Sequence, residues 1–365
     1  MLFRSDRMEE VHIVDAELEN LDIEQTVGRI PKDGKVLIVV MGNNPSVSST
    51  PKMPVAEALA KRLTKEGQEV IFTGIHPIAN GCKWTVIKQP FEGMPMPAWD
   101  LLPNLGFYRA HNWHCLDGSP RQPYAVLYTS LNCPFDCYYC NIHTLYEGRK
   151  DIRYRPIKDI AKDLENMAKQ GGLRNLKIWD ELFALNKYRV IAISELLVDY
   201  KVNAWAYARL DTMTEDMLRA MKRGGINWVA YGFESIKDEK FISTTNKVVK
   251  MTRDYGINII ANFMFGLPGT TLDDDKRTLE FAMDNLFEWV NFYDAKPYPG
   301  SQWYEDEKPN IDWADYNQYG KKSVFRDMSF IRYFTEPSYL NHIEKIFGHQ
   351  SVDQVNEMLR TPILV

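Results

Sequence analysis

The sequence predicts an α/β protein: a partial (β/α)6 barrel, preceded by a small, truncated Rossmann-like α/β domain and followed by a helical C-terminal cap. Three observations predict it. Over residues 124–305, short apolar runs alternate with helix-length stretches, in six units. A shorter alternation of the same kind occupies residues 1–87. Between the two, residues 88–123 are rich in Pro and aromatic residues, which argues for an extended linker.

In the first segment, Val11 to Asp15 (VHIVD) is a strand candidate. Lys35 to Met41 (KVLIVVM) is a continuous apolar run of the kind a buried parallel strand needs. Pro54 to Gly67 reads as a helix with Pro at its start and Gly after its end, and Glu69 to Gly74 as a third strand. Nucleotide-type domains usually carry five or six strands, so this one is incomplete.

The barrel units follow in order. Strands are expected at Tyr124–Leu131, Leu176–Asp180, Asn203–Arg209, Asn227–Phe233, Ile257–Phe265 and Trp289–Ala295. Helices are expected at Ile157–Gln170, closed by Gly171 and Gly172, and at Lys187–Lys201. A third opens with a capping box at Thr212 and Glu215 and stops at Gly224 and Gly225. A fourth ends near Gly256 and a fifth covers Leu272–Leu286. Eight units would need more chain. Residues 306–365 read as mostly helical and aromatic.

Composition narrows the class. Net charge is -5, which gives no general pull toward nucleic acid or an anionic membrane. No apolar run approaches the roughly 20 residues that span a bilayer. Met1 to Glu10 is charged and has no apolar core, so it is not read as a signal peptide. Of the five cysteines, three fall within eight residues, whereas a secreted disulfide scaffold spreads more of them along the chain. A cytoplasmic protein whose clustered thiols bind metal is expected.

Cys133-Pro-Phe-Asp-Cys137-Tyr-Tyr-Cys140 follows the first barrel strand directly. Thiolates suit iron–sulfur clusters, and a complete electron-transfer [4Fe-4S] site takes four. Three leave one iron open, as a catalytic metal site requires. The C-terminal ends of the strands are also where barrels build active sites. A zinc knuckle would need His143 as a fourth ligand, in a spacing that is not a common structural zinc pattern. Cys82 and Cys115 do not complete a four-Cys run.

C-x3-C-x2-C with an aromatic, Tyr139, before the last Cys resembles the radical S-adenosylmethionine superfamily. The resemblance implies a [4Fe-4S] cluster on Cys133, Cys137 and Cys140, with S-adenosylmethionine chelating the open iron. It implies reductive cleavage of that cofactor to a 5′-deoxyadenosyl radical, which abstracts hydrogen from a small-molecule substrate. A low-potential electron donor, flavodoxin or ferredoxin, is implied as partner. Further segments match in order. Tyr231-Gly-Phe-Glu-Ser235 is similar to the family's Gly-x-Glu-Ser segment, placing Glu234 and Ser235 against the ribose and methionine parts of the cofactor. Arg209 is placed to fork onto the cofactor carboxylate, with an ordinary ion pair to Asp211 as the alternative. Asp180 and Glu181 stand where the family binds the cofactor amine, although the family's glycines are missing there. Phe265-Gly-Leu-Pro-Gly269, with Gly266 and Pro268, looks like the adenine-side turn, and Pro297-Tyr298-Pro-Gly300 resembles another turn of these proteins.

The N-terminal segment resembles the cobalamin-binding domain found ahead of many such enzymes, through Val14-Asp-Ala-Glu17, Ser48-Ser49-Thr50 and Gly74-Ile-His76-Pro77. The resemblance implies cobalamin as a cofactor and methyl transfer to unactivated carbon. The opening strand and helix of that domain are missing, its last strands are replaced by a short linker, and Asp-x-His-x-x-Gly is absent. Phe325-Arg-Asp327, Tyr333-Phe334 and Phe347-Gly348 look like the same subfamily's tail. His111-Asn-Trp-His114-Cys115 is too cramped for a metal site, so a pocket role or packing of Trp113 is expected. The rivals are a radical enzyme without cobalamin, doing dehydrogenation or rearrangement, and a non-catalytic metal-binding or electron-transfer module with a fourth protein ligand.

Overall fold

Six short parallel strands, each buried on the inner face and covered by helices on the outer, form the larger sheet. The structure is a computed structural model that describes residues 10–40, 53–74, 77–78, 84–86, 96–236, 238–310 and 324–360. In chain order its strands are β1 Lys35–Val39, β2 Glu69–Thr73, β3 Thr85–Val86, β4 Tyr124–Leu127, β5 Ser130–Leu131, β6 Arg153–Tyr154, β7 Asn175–Ile178, β8 Asn203–Ala208, β9 Ile226–Glu234, β10 Asn258–Phe265 and β11 Trp289–Asp294. The large sheet runs β11-β10-β9-β8-β7-β4, every neighbouring pair parallel. Sequential strands lying side by side, each joined by a helix, make the partial (β/α)6 barrel.

The barrel helices follow the expected punctuation with local shifts. The third begins at Glu215, and its cap is Thr214, whose hydroxyl accepts from the Met217 N–H. Thr212, read as the cap, instead lies in a preceding 3-10 turn and donates to the Arg209 carbonyl. The first barrel strand stops at Leu127 rather than Leu131. Asp180 accepts from the N–H and hydroxyl of Thr129 and the hydroxyl of Ser130, turning the chain away. Ser130–Leu131 then pairs antiparallel with Arg153–Tyr154.

The smaller sheet has the order β1-β2-β3, all parallel, with the helix Met53–Lys65 against it. Its core is Val40, Met53, Ala60, Leu63 and Phe72, separate from the barrel core. Val11–Asp15 is not a strand. The Asp15 carboxylate takes the Leu18 N–H and the Tyr108 hydroxyl, so it opens a turn instead. The Pro-rich segment is more than a linker: Trp99, Leu105, Trp113 and Leu116 are buried in the barrel core. Helices Val324–Thr335, Pro337–Phe347 and His349–Arg360 cap the far side, where Tyr333 and Tyr339 donate to the carbonyls of Phe287 and Glu288. Among the described residues no helix is long and apolar enough to cross a membrane.

Candidate active site

The C-terminal ends of the barrel strands surround a cavity of about 830 Å³. Cys133, Cys137 and Cys140 all line it, half-buried and not joined in disulfides. The loop that carries them is shaped from below. Asn132, at φ +76°, accepts the Cys133 N–H on its side-chain oxygen and donates to the carbonyls of Arg149 and Asp151. His143 contacts the Phe135 carbonyl through Nε2 at 3.0 Å, and the Arg149 carbonyl and Asn132 Oδ1 through Nδ1. Both ring nitrogens are therefore engaged, and His143 braces the loop rather than completing a zinc site. Cys115 lies at the other end of the barrel, its thiol 3.4 Å from Oδ1 of Asn175, the first residue of β7. Cys82 is outside the described residues.

Burial raises all three thiols, and pushes Cys140 up to about 12. Positive charge opposes that trend. Arg209 brings Nη1 to 3.9 Å from Cys137 Sγ, with its guanidinium 3.9 Å above the Phe135 ring. Its Nε and Nη2 fork onto Asp211 at 2.9 and 2.8 Å, so the ion pair and the placement beside the cysteine loop coexist.

Glu234 ends β9 in a left-handed backbone conformation, φ +62°. Against β10 the register slips here: Asn262 faces Gly232 and Phe263 faces Glu234. Such a bulge re-aims a side chain, and the Glu234 carboxyl lines the cavity, where burial lifts it to about 7 and Tyr139 hydrogen-bonds it. The glycine at 232 lets the carboxyl lie there, because a Cβ would meet Oε1 of Glu234 and displace it. Ser235 is 3% exposed, lines the same cavity, and its hydroxyl has no protein partner. A buried orphan hydroxyl is costly unless a ligand or water takes it.

Asp180 and Glu181 both reach the cavity with their acceptors engaged. Asp180 pins Thr129 and Ser130, as above. Glu181 accepts from the Tyr146 hydroxyl at 2.8 Å and from the Asn132 N–H at 2.9 Å, and burial lifts it to about 7. Gly266, Pro268 and Tyr298 are not brought to the cavity wall, although Leu267 is. Gly266 and Gly269 have φ +71° and +82° with open space around them, so backbone conformation, not crowding, calls for glycine. Tyr298 is 1% exposed and belongs to a turn docked under the cysteine loop, where Asn141 Nδ2 donates to the Pro299 carbonyl and Thr144 to that of Gly300.

From the N-terminal unit, Thr73 at the end of β2, Gly74 and Ile78 line the same cavity. Gly74 has φ +111° and no room for a Cβ against the Val40 carbonyl, a packing reason for glycine independent of any ligand. Ser48, Ser49, Thr50 and His76 lie outside the described residues. The aromatic wall, Tyr128, Tyr146, Trp179 and Tyr207, did not emerge from motif reading. Its signal is the alternation Ala204-Trp205-Ala206-Tyr207-Ala208, which puts the rings on one face of β8 and small residues on the other.

Residues 127–282 match the model of the radical SAM superfamily. The chain is 27% identical over 311 residues to an uncharacterized methyltransferase of Pyrococcus horikoshii, covering 77% of this chain and 65% of that protein. It is 22% identical over 313 residues to a bacteriochlorophyllide d C-8(2)-methyltransferase of Chlorobaculum tepidum, covering 72% and 68%. The chain thus spans about two thirds of the length of these relatives. In fold it resembles the radical S-adenosylmethionine methyltransferase TsrM of Kitasatospora setae, a structure with cobalamin and a [4Fe-4S] cluster bound. The TM-score is 0.61 at 15% identity, over 80% of this chain and 71% of that one. The segment that matches the radical SAM superfamily takes in the whole cysteine loop and the strand-end residues Asp180, Arg209 and Glu234 that share its cavity.

Proposed function

We propose that this chain is a radical S-adenosylmethionine enzyme. In this reading Cys133, Cys137 and Cys140 hold a [4Fe-4S] cluster, and the cofactor lies against Tyr139, Arg209, Glu234 and Ser235. One observation carries it: three thiols free of disulfides open onto the same cavity as a bulge-aimed carboxyl and an orphan buried hydroxyl. That donor set fits the group, three soft ligands beside oxygen atoms suited to ribose hydroxyls or an ammonium. When bound, a reduced cluster and S-adenosylmethionine supply a 5′-deoxyadenosyl radical that abstracts hydrogen from a small-molecule substrate. The chain's own residues do the positioning. Arg209 offsets the negative charge of Cys137, Glu234 accepts from a ribose hydroxyl, Ser235 pairs with a polar cofactor atom, and the aromatic wall keeps water out.

Cobalamin-dependent methyl transfer is the finer form of this proposal. Thr73 and Gly74 sit at the C-terminal end of a parallel sheet, where open α/β sheets bind ligands, and they border the cavity. Two relatives are named methyltransferases. The accompanying division is a cobalamin-binding-like unit at 1–87, a connector at 88–123, the barrel at 124–305 and a helical cap at 306–365. A cytoplasmic setting, with flavodoxin or ferredoxin as electron donor, suits thiol ligands that are free of disulfides.

Anaerobic reconstitution with iron and sulfide, reduction, and assay for 5′-deoxyadenosine test the core reading. A fully iron-loaded protein that yields none would refute it. An absorption titration with hydroxocobalamin tests the finer form, and an unchanged spectrum would leave dehydrogenation or rearrangement in its place.

A further inference from the structure

A guanidinium stands against the cysteine loop and is held there from three sides. Arg209 directly follows β8 and lines the same cavity as the three thiols. Its Nη1 lies 3.9 Å from Cys137 Sγ. The other edge of the group, Nε and Nη2, forks onto Asp211 at 2.9 and 2.8 Å. Its carbon is 3.9 Å from the centroid of the Phe135 ring. The backbone is fixed as well, because the Thr212 hydroxyl donates to the Arg209 carbonyl. Phe135 is braced in turn, with its carbonyl 3.0 Å from Nε2 of His143.

Stability does not account for this arrangement. The Arg209 and Asp211 side chains are 37% and 60% exposed, and an ion pair so open to water adds little to folding. What the fork gives is orientation. A bidentate pair fixes the plane of a guanidinium, and the ring beneath it adds a cation–π contact. The group left over, Nη1, is thereby turned to sulfur. Arg209 is a positive neighbour of both Cys133 and Cys137, whereas Glu181 acts on Cys133 and Glu234 on Cys137 in the opposite sense.

A charge fixed beside a ligating sulfur has a defined effect on an iron–sulfur cluster. Potentials of such clusters follow net charge, hydrogen bonds to the sulfurs and exposure to water, and groups behind the ligands tune the metal. Reduction passes one electron from the external donor to the cluster. No bond breaks and no proton moves, so the cluster becomes one charge more negative. A nearby cation stabilises that state more than the oxidised one, and nearby carboxylates do the reverse.

We propose that Arg209 raises the reduction potential of the cluster on Cys133, Cys137 and Cys140, with Asp211 and Phe135 as the positioning residues that keep its Nη1 on Cys137. Placed in this way, Arg209 acts on the cluster before S-adenosylmethionine binds. That separates the role from any contact with the cofactor carboxylate. The proposal rests on the radical SAM reading, which supplies the cluster.

A redox titration of the reconstituted full chain, without S-adenosylmethionine and followed by electron paramagnetic resonance of the reduced cluster, tests it. Arg209→Gln keeps a polar side chain and removes the charge. Its midpoint is expected at least about 59 mV below that of wild type, a tenfold change in the ratio of reduced to oxidised cluster for one electron. A smaller fall, or none, overturns the proposal, whatever happens to S-adenosylmethionine affinity measured separately. Iron content equal to wild type shows that the same cluster is being compared. If Arg209→Gln takes up no iron, Asp211→Asn decides. That change deletes the opposing carboxylate charge and keeps an oxygen for the fork, so its midpoint is expected above wild type, and one at or below wild type overturns the proposal. The two readings fail separately. Wild-type protein that assembles no cluster sinks the radical SAM reading and this proposal with it, whereas a cluster that assembles and does not respond to Arg209→Gln sinks only the role of Arg209.

Discussion

Gly232 and Glu234 are coupled across one residue of β9: the bulge folds the Glu234 carboxyl back over Gly232, leaving no room there for a Cβ. The strand end thus spends a glycine and a left-handed backbone on aiming one buried carboxyl at the cavity.

Gly232→Ala should move that carboxyl while leaving the fold intact, because the obstructing atom is the far end of a flexible side chain. The expected result is an unfolding free energy within about 1 kcal/mol of wild type and S-adenosylmethionine binding weakened about tenfold, a loss near 1.4 kcal/mol. Calorimetric titration and thermal melting read the two effects. Unchanged affinity would remove Glu234 from the cofactor site.

Substituting Cys133, Cys137 or Cys140 by Ala should each abolish reconstituted iron binding, because the proposed function makes each thiolate one of three cluster ligands. Cys115→Ala and His143→Ala should keep wild-type iron content. His143→Ala should still lower stability, by about 1 kcal/mol, because the half-buried ring no longer bridges the carbonyls of Phe135 and Arg149. Loss of iron on either of these last substitutions would revive a four-ligand, non-catalytic site.

His114 should make the protein acid-sensitive. It is 1% exposed, neither ring nitrogen has a protein partner, and burial pushes it down to about 3. Its folded value lies below the unfolded value near 6.5, so the unfolded chain binds the extra proton between the two. The stability is therefore complete above pH 6.5 and is lost as pH falls toward 3, at up to about 1.4 kcal/mol per unit. Urea unfolding at pH 7.5 and 5 should show this slope in wild type and a shallower one in His114→Leu. Parallel slopes would contradict it.

Asp163→Ala should be among the most damaging single changes in the barrel. The carboxylate is fully buried, pairs with Arg155 at 2.6 Å and accepts from Trp99 Nε1 at 3.1 Å. Its removal leaves a buried guanidinium unpaired, at a cost of about 3–5 kcal/mol. Arg155 also donates to the Tyr128 carbonyl, so the cavity wall should loosen with it. Denaturant melts measure the loss, and a change below about 1 kcal/mol would show that water takes over the pairing.

The strand–helix order of the barrel was legible because periodicity and turn residues are local, and boundaries moved only where long-range partners intervened. Tyr124–Leu131 read as one strand, and it breaks because Asp180, far along the chain, takes its Thr129 and Ser130 groups. Val11–Asp15 has strand composition but no neighbouring strand to pair with among the described residues. Residues 88–123 read as a linker from their Pro content, yet Trp113 packs edge-on against Trp205 and Trp228 inside the barrel. Pattern rules do not weigh such contacts.

The sequence by itself determined the three-cysteine loop, its place after the first barrel strand and the glycine and acidic residues at the later strand ends, since all of these are matters of spacing along one chain. Only the tertiary structure decided which of them meet. It put Glu234 and Ser235 on the cavity, left Gly266, Pro268 and Tyr298 off its wall, and engaged both nitrogens of His143. It also set the Lys177 ammonium against the rings of Trp179 and Trp205. The reason is physical: whether a side chain faces a cavity depends on ladder register and on which strand lies beside it, and neither is a local property of the sequence.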